Sequence, residues 1–119
     1  INSGTEFNYI FANNDMMAQG CYNALKDAGK ENIPIVSTGG SPDGFKMLQD
    51  GIEAANMTAP VSIQGVKTFM NLYNKVALGE DPAEKFTALP VIPVSADDTS
   101  SYIAWDDYAA AYKYLGENK

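Results

Sequence analysis

Apolar and polar positions along this chain alternate in blocks that predict strands followed by helices. The run Tyr9 to Ala12 is apolar and β-forming, and apolar side chains then recur at helical spacing up to Ala28, just before Gly29. Between these elements lies the polar turn Asn13-Asn14-Asp15, in which Asp15 or Asn14 suits the N-cap of the helix. The block therefore predicts a strand, a polar turn, a helix and a glycine terminator.

The same order recurs further along the chain. A buried strand is predicted over Ile33 to Ser37, and the glycine pair Gly39-Gly40 follows it. Ser41-Pro42-Asp43 then begins a helix, with serine as the cap, proline at the first helical position and aspartate favourable to the helix dipole. A weaker strand, Ala54 to Thr58, stops before Pro60. This block also predicts a strand whose carboxyl end meets the start of a helix.

The rest of the chain predicts two helices and an irregular strand. Ser62 is predicted to cap a helix that ends at Gly79, and Asp106 or Asp107 a last helix that stops at Gly116. The segment ALPVIPVSA is apolar, but its prolines favour an edge strand or an extended crossing segment. The alternation predicts an α/β fold, in which right-handed crossovers build a parallel sheet flanked by helices on both faces.

Polar loops leave the carboxyl ends of the predicted strands. In α/β sheets ligands bind outside these ends, so the loops should line one rim. They are Asn13-Asn14-Asp15, Thr38-Gly39-Gly40-Ser41 and Thr58-Ala59-Pro60. A helix needs only one cap, and the amide of Asn14 both donates and accepts hydrogen bonds, as recognition of a sugar hydroxyl or an amide requires. The turn is open to both interpretations, a helix cap and a ligand site.

Composition removes several classes of function. The chain of 119 residues carries 8 basic and 15 acidic residues, a net charge of -7, which would repel nucleic-acid phosphates. Without histidine, and with Cys21 as its one cysteine, it cannot supply the common zinc-ligand spacings, His-dependent catalytic triads or an internal disulfide. Gly39-Gly40 lies in no phosphate-loop motif, and the pairs Asp97-Asp98 and Asp106-Asp107 match no calcium-loop spacing. We therefore expect neither an enzyme nor a bound metal or cofactor.

Targeting signals are not recognisable in the sequence. No apolar run approaches the roughly 20 residues of a membrane helix, and no stretch reads as a signal peptide. The chain begins at Ile1, without methionine, so we expect a trimmed piece of a longer protein.

The stretch FANNDMMAQGCYNALKDAGKENIPIVSTGGSPDGFKMLQDGIEAANMTAP contains several motifs that occur together in one family. They are the apolar strand into ANND, the M-A-x-G helix start, AL-x-x-AGK, IPIV, SPDG and DG-x-x-AA. With them the chain resembles the C-terminal half of the periplasmic sugar-binding proteins of the ribose- and galactose-binding type. The resemblance implies the type I periplasmic-binding-protein fold, with two α/β lobes that close about a hinge on a sugar delivered to an ABC importer.

The resemblance has uneven implications for single residues. Asn14 corresponds to a direct ligand of sugar hydroxyls, and Asp15 to a neighbouring cap or supporting group. Where the family commonly has an aspartate this chain has Gly39, and where it has asparagine or glutamine it has Ala59. Thr38, Ser41 and Thr58 are candidate substitutes. The predicted ligand-binding residues are Asn14, Asp15, Thr38, Gly39, Thr58 and Ala59.

The resemblance also implies a division of the chain and a set of partners. Residues 1–60 would belong to the C-terminal lobe, 61–92 to the other lobe, and 93–119 to the hinge-crossing segment and final helix. The expected partners are a sugar-like solute, the importer's membrane subunits, and either a missing N-terminal half or a swapped dimer. The expected location is extracytoplasmic, in the periplasm or lipid-anchored at the cell surface.

The sequence leaves two alternatives open. One is the effector-binding core of a LacI-type transcriptional regulator, which shares the fold, although GKENIPIVSTGG fits that group poorly. The other, supported by the strand-helix alternation alone, is a flavodoxin- or receiver-like domain.

Overall fold

The structure, a computed structural model, describes residues 3–82, 84–89 and 91–117. Strands and helices alternate through most of this part of the chain. In order they are β1 (Ile10–Ala12), α1 (Asp15–Asp27), β2 (Ile35–Gly39), α2 (Pro42–Gln49), β3 (Glu53–Thr58), α3 (Val61–Tyr73), a π-helical turn (Asn74–Leu78), β4 (Ile92–Ser95) and α4 (Tyr108–Glu117).

The strands form one sheet in the order β1-β2-β3-β4. The pairs β1-β2 and β2-β3 are parallel, whereas β4 runs antiparallel to β3 at the edge of the sheet. The predicted α/β class and the edge position of the proline-containing strand are therefore confirmed. Pro93 lies in β4, and Pro90 lies outside the described residues.

Helices α1 and α2 pack on the sheet and contact each other. Because successive strands advance in one direction across the sheet, right-handed crossovers place both helices on the same face. A core of Ala12, Ala18, Leu25, Ile35 and Met47 fills the space between them and the sheet. On the opposite face Phe11 is 59% exposed and Met57 36%. Helices are predicted on both faces of the sheet. In the described part of the chain, α1 and α2 cover one of these faces.

The chain divides into two compact units. One comprises the described residues of Ile1–Ala59 and Val91–Tyr102 and contains the sheet with α1 and α2. The other comprises those of Pro60–Pro90 and Ile103–Lys119, in which α3 packs against α4 around Ile63 and Ala111.

Several predicted helix ends are confirmed. Ser41 Oγ accepts a 3.1 Å hydrogen bond from Gly44 N–H at the start of α2, with Pro42 in the first turn. Asp107 Oδ1 accepts a 2.8 Å bond from Ala110 N–H at the start of α4. Gly79 ends the π-helical turn in the left-handed conformation, with φ 72°, as a C-terminal glycine should.

Other predicted ends were wrong. Ser62 lies inside α3, where its hydroxyl donates to Ala104 O at 3.2 Å, and the N-cap is Pro60, without a side-chain bond. Gly116 lies inside α4. For α1, where Asp15 and Asn14 were both candidates, the N-cap is Asn14. The side chains of Ser62 and Asp15 bond to groups far away in the sequence, and not to an N–H group in the first turn of their own helix. The sequence pattern does not show such partners.

Candidate functional site

The polar loops at the carboxyl ends of β1, β2 and β3 meet at one rim of the sheet. Thr38 Oγ1 donates to Asn13 O at 2.8 Å, which joins the β1 and β2 loops. The N–H of Ala59 donates to Gly39 O at 3.0 Å, which joins the β2 and β3 loops. The predicted convergence of the three loops is thus present in the structure. We call these loops, Asn13–Asp15, Thr38–Ser41 and Thr58–Ala59, the rim.

Asn14 is exposed on the rim and begins helix α1. Its Oδ1 accepts a 2.8 Å hydrogen bond from Met17 N–H, one of the N–H groups that lack a partner within the helix. This bond occupies one lone pair of the amide oxygen, so the amide still offers its N–H donors. Capping and ligand contact are therefore compatible at this residue.

Asp15, one residue later, is only 6% exposed. Its Oδ2 accepts a 2.7 Å hydrogen bond from Ser41 N–H, so it links α1 to the loop that begins α2. The residue was predicted to bind ligand or to cap α1. The structure instead gives it a buried position, with its carboxyl group hydrogen-bonded inside the protein. Its predicted contact with a ligand is not tested by these bonds and stays a prediction.

Beneath the rim, Asp15 belongs to a group of four buried polar side chains, which we call the buried cluster: Asp15, Ser37, Glu53 and Asn56. Ser37 Oγ lies 3.1 Å from Asp15 Oδ1 and 2.8 Å from Glu53 Oε1. Asn56 Nδ2 lies 2.7 Å from Asp15 Oδ1, 2.8 Å from Ser37 Oγ and 3.0 Å from Glu53 Oε2. Helix α1 and strands β2 and β3 are thus joined by side-chain hydrogen bonds.

The buried cluster was not identified from the sequence. The feature of the sequence that could have revealed it is the presence of polar residues at strand positions that face the helices. In the parallel register Ser37 is paired with Asn56, and Glu53 with Ile35. A β-bulge in β3, opposite Ile35/Val36, brings Glu53 and Asn56, three positions apart, to the same face. Simple alternation along β3 would have put them on opposite faces.

Burial sets the acidity of Glu53. Loss of hydration raises the pKa of the Glu53 carboxyl above its usual value of 4.5, because the charged form is disfavoured away from water. Hydrogen bonds from Asn56 and Ser37 lower the pKa, and the negative charge of Asp15 raises it further. The net shift is upward, so burial and the acidic neighbour outweigh the hydrogen bonds.

Thr58 and Thr38 are both engaged in structural hydrogen bonds. The Thr58 hydroxyl is buried and donates to Ile92 O at 2.7 Å, joining β3 to β4. Thr38, half-buried, donates to Asn13 O. As substitutes for the polar residues absent at positions 39 and 59, they were expected to face a ligand. Their hydroxyl protons hold the rim together, and a contact of either residue with a ligand stays a prediction.

The glycines of the rim bring backbone close to other side chains. Gly39 has φ 132°, and a Cβ there would lie 2.8 Å from Asp15 Oδ2. Gly40 has φ 74°, and a Cβ there would lie 2.6 Å from Thr58 Cβ. Both positions combine a backbone conformation that favours glycine with a lack of space. A side chain such as the family's aspartate at Gly39 would therefore require this part of the rim to change.

An aromatic pair that sequence reasoning missed covers the Gly40 loop. The rings of Phe45 and Tyr102 stack with centroids 3.8 Å apart, and the Tyr102 hydroxyl donates to Gly40 O at 3.1 Å. The segment after β4 is thereby held against the start of α2. This contact joins residues far apart in the sequence, which explains why no local pattern predicted it.

A groove of about 490 Å³ lies between α1 and α2 beside the rim. It is lined by Asp15, Met16, Gln19, Ser41, Asp43, Lys46, Met47, Asp50 and Ile52.

Across residues 3–82, 84–89 and 91–117, no group of three or more histidine, cysteine, aspartate or glutamate side chains could hold a metal ion. In the same part of the chain no helix has both the length and the apolar character of a membrane span.

Comparison with curated proteins identifies ribose import binding proteins as relatives. The chain is 38% identical over 80 residues to that of Escherichia coli (strain K12), and 38% identical over 77 residues to that of Salmonella typhimurium. Each match covers 65% of this chain, and the matched segment spans 26% of the relative's length. No protein-family model matches the chain.

Comparison with solved structures supports the fold. A crystal structure of a protein from Mycobacterium smegmatis superposes with a TM-score of 0.62 and 23% sequence identity. The superposition covers 98% of this chain and 38% of the other chain, so the present chain spans well under half of that protein. The chain is therefore a partial relative of the ribose import binding proteins with an α/β fold, and the resemblance to periplasmic sugar-binding proteins drawn from its motifs is confirmed.

Proposed function

We propose that this chain is part of an extracytoplasmic solute-binding protein that delivers a sugar or sugar-like solute to an ABC importer. The observation that carries the proposal is the exposed Asn14 at a rim where three strand-end loops meet. The relatives named as ribose import binding proteins support the same class. Their names describe binding proteins for import, so they give no separate support to a transcriptional regulator.

The solute is proposed to contact the rim mainly through Asn14. The Asn14 amide offers donors for sugar hydroxyls while its oxygen caps α1. Gly39 and Ala59 contribute backbone and small apolar surface rather than polar side chains. The loops are held in place by the side chains of Asp15, Thr38 and Thr58, which already have protein partners.

The charge around the rim favours a neutral solute. The chain carries a net charge of -7, and the carboxyl group of Asp15 lies directly beneath the rim. A negative potential there raises the cost of bringing in an anion. A neutral polyol such as a sugar avoids that cost and can exchange hydrogen bonds with an amide.

The finer parts of the proposal concern the whole protein. Solute binding would shift a hinge equilibrium toward a closed form, because the solute gains contacts in that form which the open form lacks. The membrane subunits of the importer would receive the closed protein. The three-residue β1 lies at the edge of the described sheet, so it offers an unpaired strand edge to a missing N-terminal half or to a swapped second copy. The protein would work in the periplasm or lipid-anchored at the cell surface.

A ligand screen on the full-length protein tests the assignment. Pentoses, hexoses and related polyols would be tested by thermal shift, since a ligand that binds only the folded state raises the melting temperature. With a stabilising ligand found, its affinity is compared for wild type and Asn14→Asp. Aspartate keeps a capping oxygen but removes the amide donors. We expect binding about tenfold weaker, from the loss of about one net hydrogen bond.

The matched control is Asn32→Asp, which makes the same chemical change at an exposed position in the turn before β2. It should leave the affinity unchanged, so that a general effect of added negative charge is separated from a local one. If Asn14→Asp binds the solute as tightly as wild type, Asn14 does not contact it and the site assignment fails.

A further inference from the structure

The buried cluster contains two carboxyl groups and no cation. Its members come from α1 (Asp15), β2 (Ser37) and β3 (Glu53 and Asn56). The charged residues of α2, Asp43 and Lys46, are exposed, as is Asp50 at its end, and the described part of β4 has no ionisable side chain. The electrostatic neighbour of Glu53 is Asp15, another acid. Among residues 3–82, 84–89 and 91–117, no positive charge contributes to the electrostatics of Glu53, so nothing there offsets a second negative charge.

The close contacts in the buried cluster outnumber the protons that its neutral groups can donate. There are five: Ser37 Oγ to each carboxyl group, and Asn56 Nδ2 to each carboxyl group and to Ser37 Oγ. Ser37 supplies one proton and the Asn56 amide two. With both acids ionised, two close contacts between electronegative atoms would have no proton between them.

The orientation of Asn56 indicates the same shortage of donors. Its Nδ2 lies within 3.0 Å of three acceptors, whereas its Oδ1 is buried without a hydrogen-bond partner in the described part of the chain. Leaving a buried amide oxygen unpaired is costly. The amide keeps this orientation because the carboxyl groups need its donors more than the oxygen needs an acceptor.

We propose that Glu53 keeps a proton in the folded protein and donates it from Oε1 to Ser37 Oγ, so that the two acids of the buried cluster share a single negative charge. Ser37 then donates to Asp15 Oδ1, and Asn56 donates to Asp15 Oδ1 and to Glu53 Oε2. Every proton has one acceptor. The one close approach without its own proton is that of Asn56 Nδ2 to Ser37 Oγ, at 2.8 Å.

The proton on Glu53 thereby acts on the rim through Asp15. Asp15 Oδ2 holds the N–H of Ser41 at 2.7 Å, where the loop from β2 enters α2. Loss of the Glu53 proton would remove a donor and add a buried negative charge next to Asp15. The buried cluster must then open or admit water or a cation, and the Asp15–Ser41 link loosens. The rim geometry becomes dependent on pH, whatever solute it binds.

The sign of the pH effect follows from linkage. The folded protein raises the pKa of Glu53 above 4.5, so the unfolded chain releases this proton at a lower pH than the folded protein does. The contribution of Glu53 to folding stability is therefore complete below about pH 4.5. It is lost progressively as the pH rises through the folded-state value.

Two measurements on the full-length protein test the proposal. The first follows the ¹³Cδ resonance of Glu53 against pH by NMR, with the signal assigned in wild-type protein through its backbone-to-side-chain correlations. We expect its titration midpoint above that of the exposed Glu31. The second compares melting temperatures of wild type and Glu53→Gln between about pH 5 and about pH 8. Glutamine presents an N–H donor and an oxygen acceptor without ionising.

We expect the melting temperature of Glu53→Gln to rise relative to that of wild type as the pH increases, because only wild type loses the proton. Glu31→Gln, the matched control, should show a constant difference. If the Glu53 resonance titrates together with that of Glu31, the fold does not hold a proton on Glu53 and the proposal is wrong. This NMR outcome is decided in wild-type protein, so it stands even if Glu53→Gln fails to fold.

Discussion

The exposed rim and the buried cluster beneath it use the same kinds of side chain for different purposes. Asn14 is exposed and caps a helix with one amide oxygen, whereas Asp15 is 6% exposed and joins α1 to β2, β3 and the Ser41 loop. Successive residues of an α-helix are about 100° apart around its axis, so one turns toward water and the next toward the sheet. Adjacent polar residues therefore differ in the free energy that their hydrogen bonds contribute.

Water decides how much each region contributes to stability. At an exposed rim residue such as Asn14, a lost hydrogen bond is replaced by one to water, and the net cost is small. In the buried cluster each group left unpaired keeps its full desolvation cost. The ranking of the following substitutions tests this difference, and the fold should be far more sensitive to the buried cluster than to the rim.

The largest expected effect is that of Asp15→Ala compared with Asn14→Ala. Asp15→Ala leaves the Ser41 N–H, the Ser37 hydroxyl and an Asn56 N–H without their common acceptor, at about 1–3 kcal/mol for each buried group. We expect a total loss of at least about 3 kcal/mol in the free energy of unfolding. Asn14→Ala removes an exposed cap and should cost about 1 kcal/mol. Chemical denaturation measures both, and equal losses would contradict the distinction between the two regions.

A smaller effect is expected from Gly44→Ala in α2. A Cβ at Gly44 would overlap with Asp15 Cγ, so the buried carboxyl group would have to move. The matched control is Gly20→Ala in α1, where a Cβ meets nothing within 4 Å and alanine should stabilise the helix by about 0.5–1 kcal/mol.

Relative to Gly20→Ala, we expect Gly44→Ala to lose about 1–3 kcal/mol of unfolding free energy through overpacking. Denaturation of the two variants under the same conditions gives the difference. Similar stabilities would mean that Asp15 moves freely and that the buried cluster is not rigid.

The smallest expected effect is that of Lys46→Gln. Lys46 and Asp50 form an i,i+4 pair with Nζ 2.8 Å from Oδ2, and their side chains are 70% and 44% exposed. Because both ions remain hydrated, removal of the pair should change the unfolding free energy by no more than about 0.5 kcal/mol. Denaturation at low and high salt checks this, since the small contribution should vanish at high salt. A loss as large as that of Asp15→Ala would show that exposed charges stabilise this domain as strongly as the buried cluster does.

Local chemistry explains what could be predicted about the fold. Ser41-Pro42-Asp43 begins α2 as expected, because capping and the fixed backbone of proline act within a few residues. The proline-containing segment forms an antiparallel edge strand, because proline cannot donate a hydrogen bond inside a sheet. The convergence of the loops at one rim followed from the parallel alternation of strands and helices.

What the sequence could not show at the site also has a physical cause. Asp15, Thr38 and Thr58 remain predicted ligand contacts, and the structure adds to each a hydrogen-bonded partner at least 25 residues away. Glu53 was overlooked, because a β-bulge that sequence alternation does not reveal turns it toward the helices. Partners so distant in the chain are set by the pairing of strands and not by neighbouring residues.

The order of strands and helices, most of the helix caps and the resemblance to sugar-binding proteins were determined by the sequence alone, because each depends on short-range periodicity or on motifs. Which polar residues reach water and which are buried was decided by the tertiary structure. The parallel register and the bulge in β3 bring Ser37, Glu53 and Asn56 beneath the rim, where α1 places Asp15. Burial then determines whether a polar side chain holds the fold together or remains exposed for a solute.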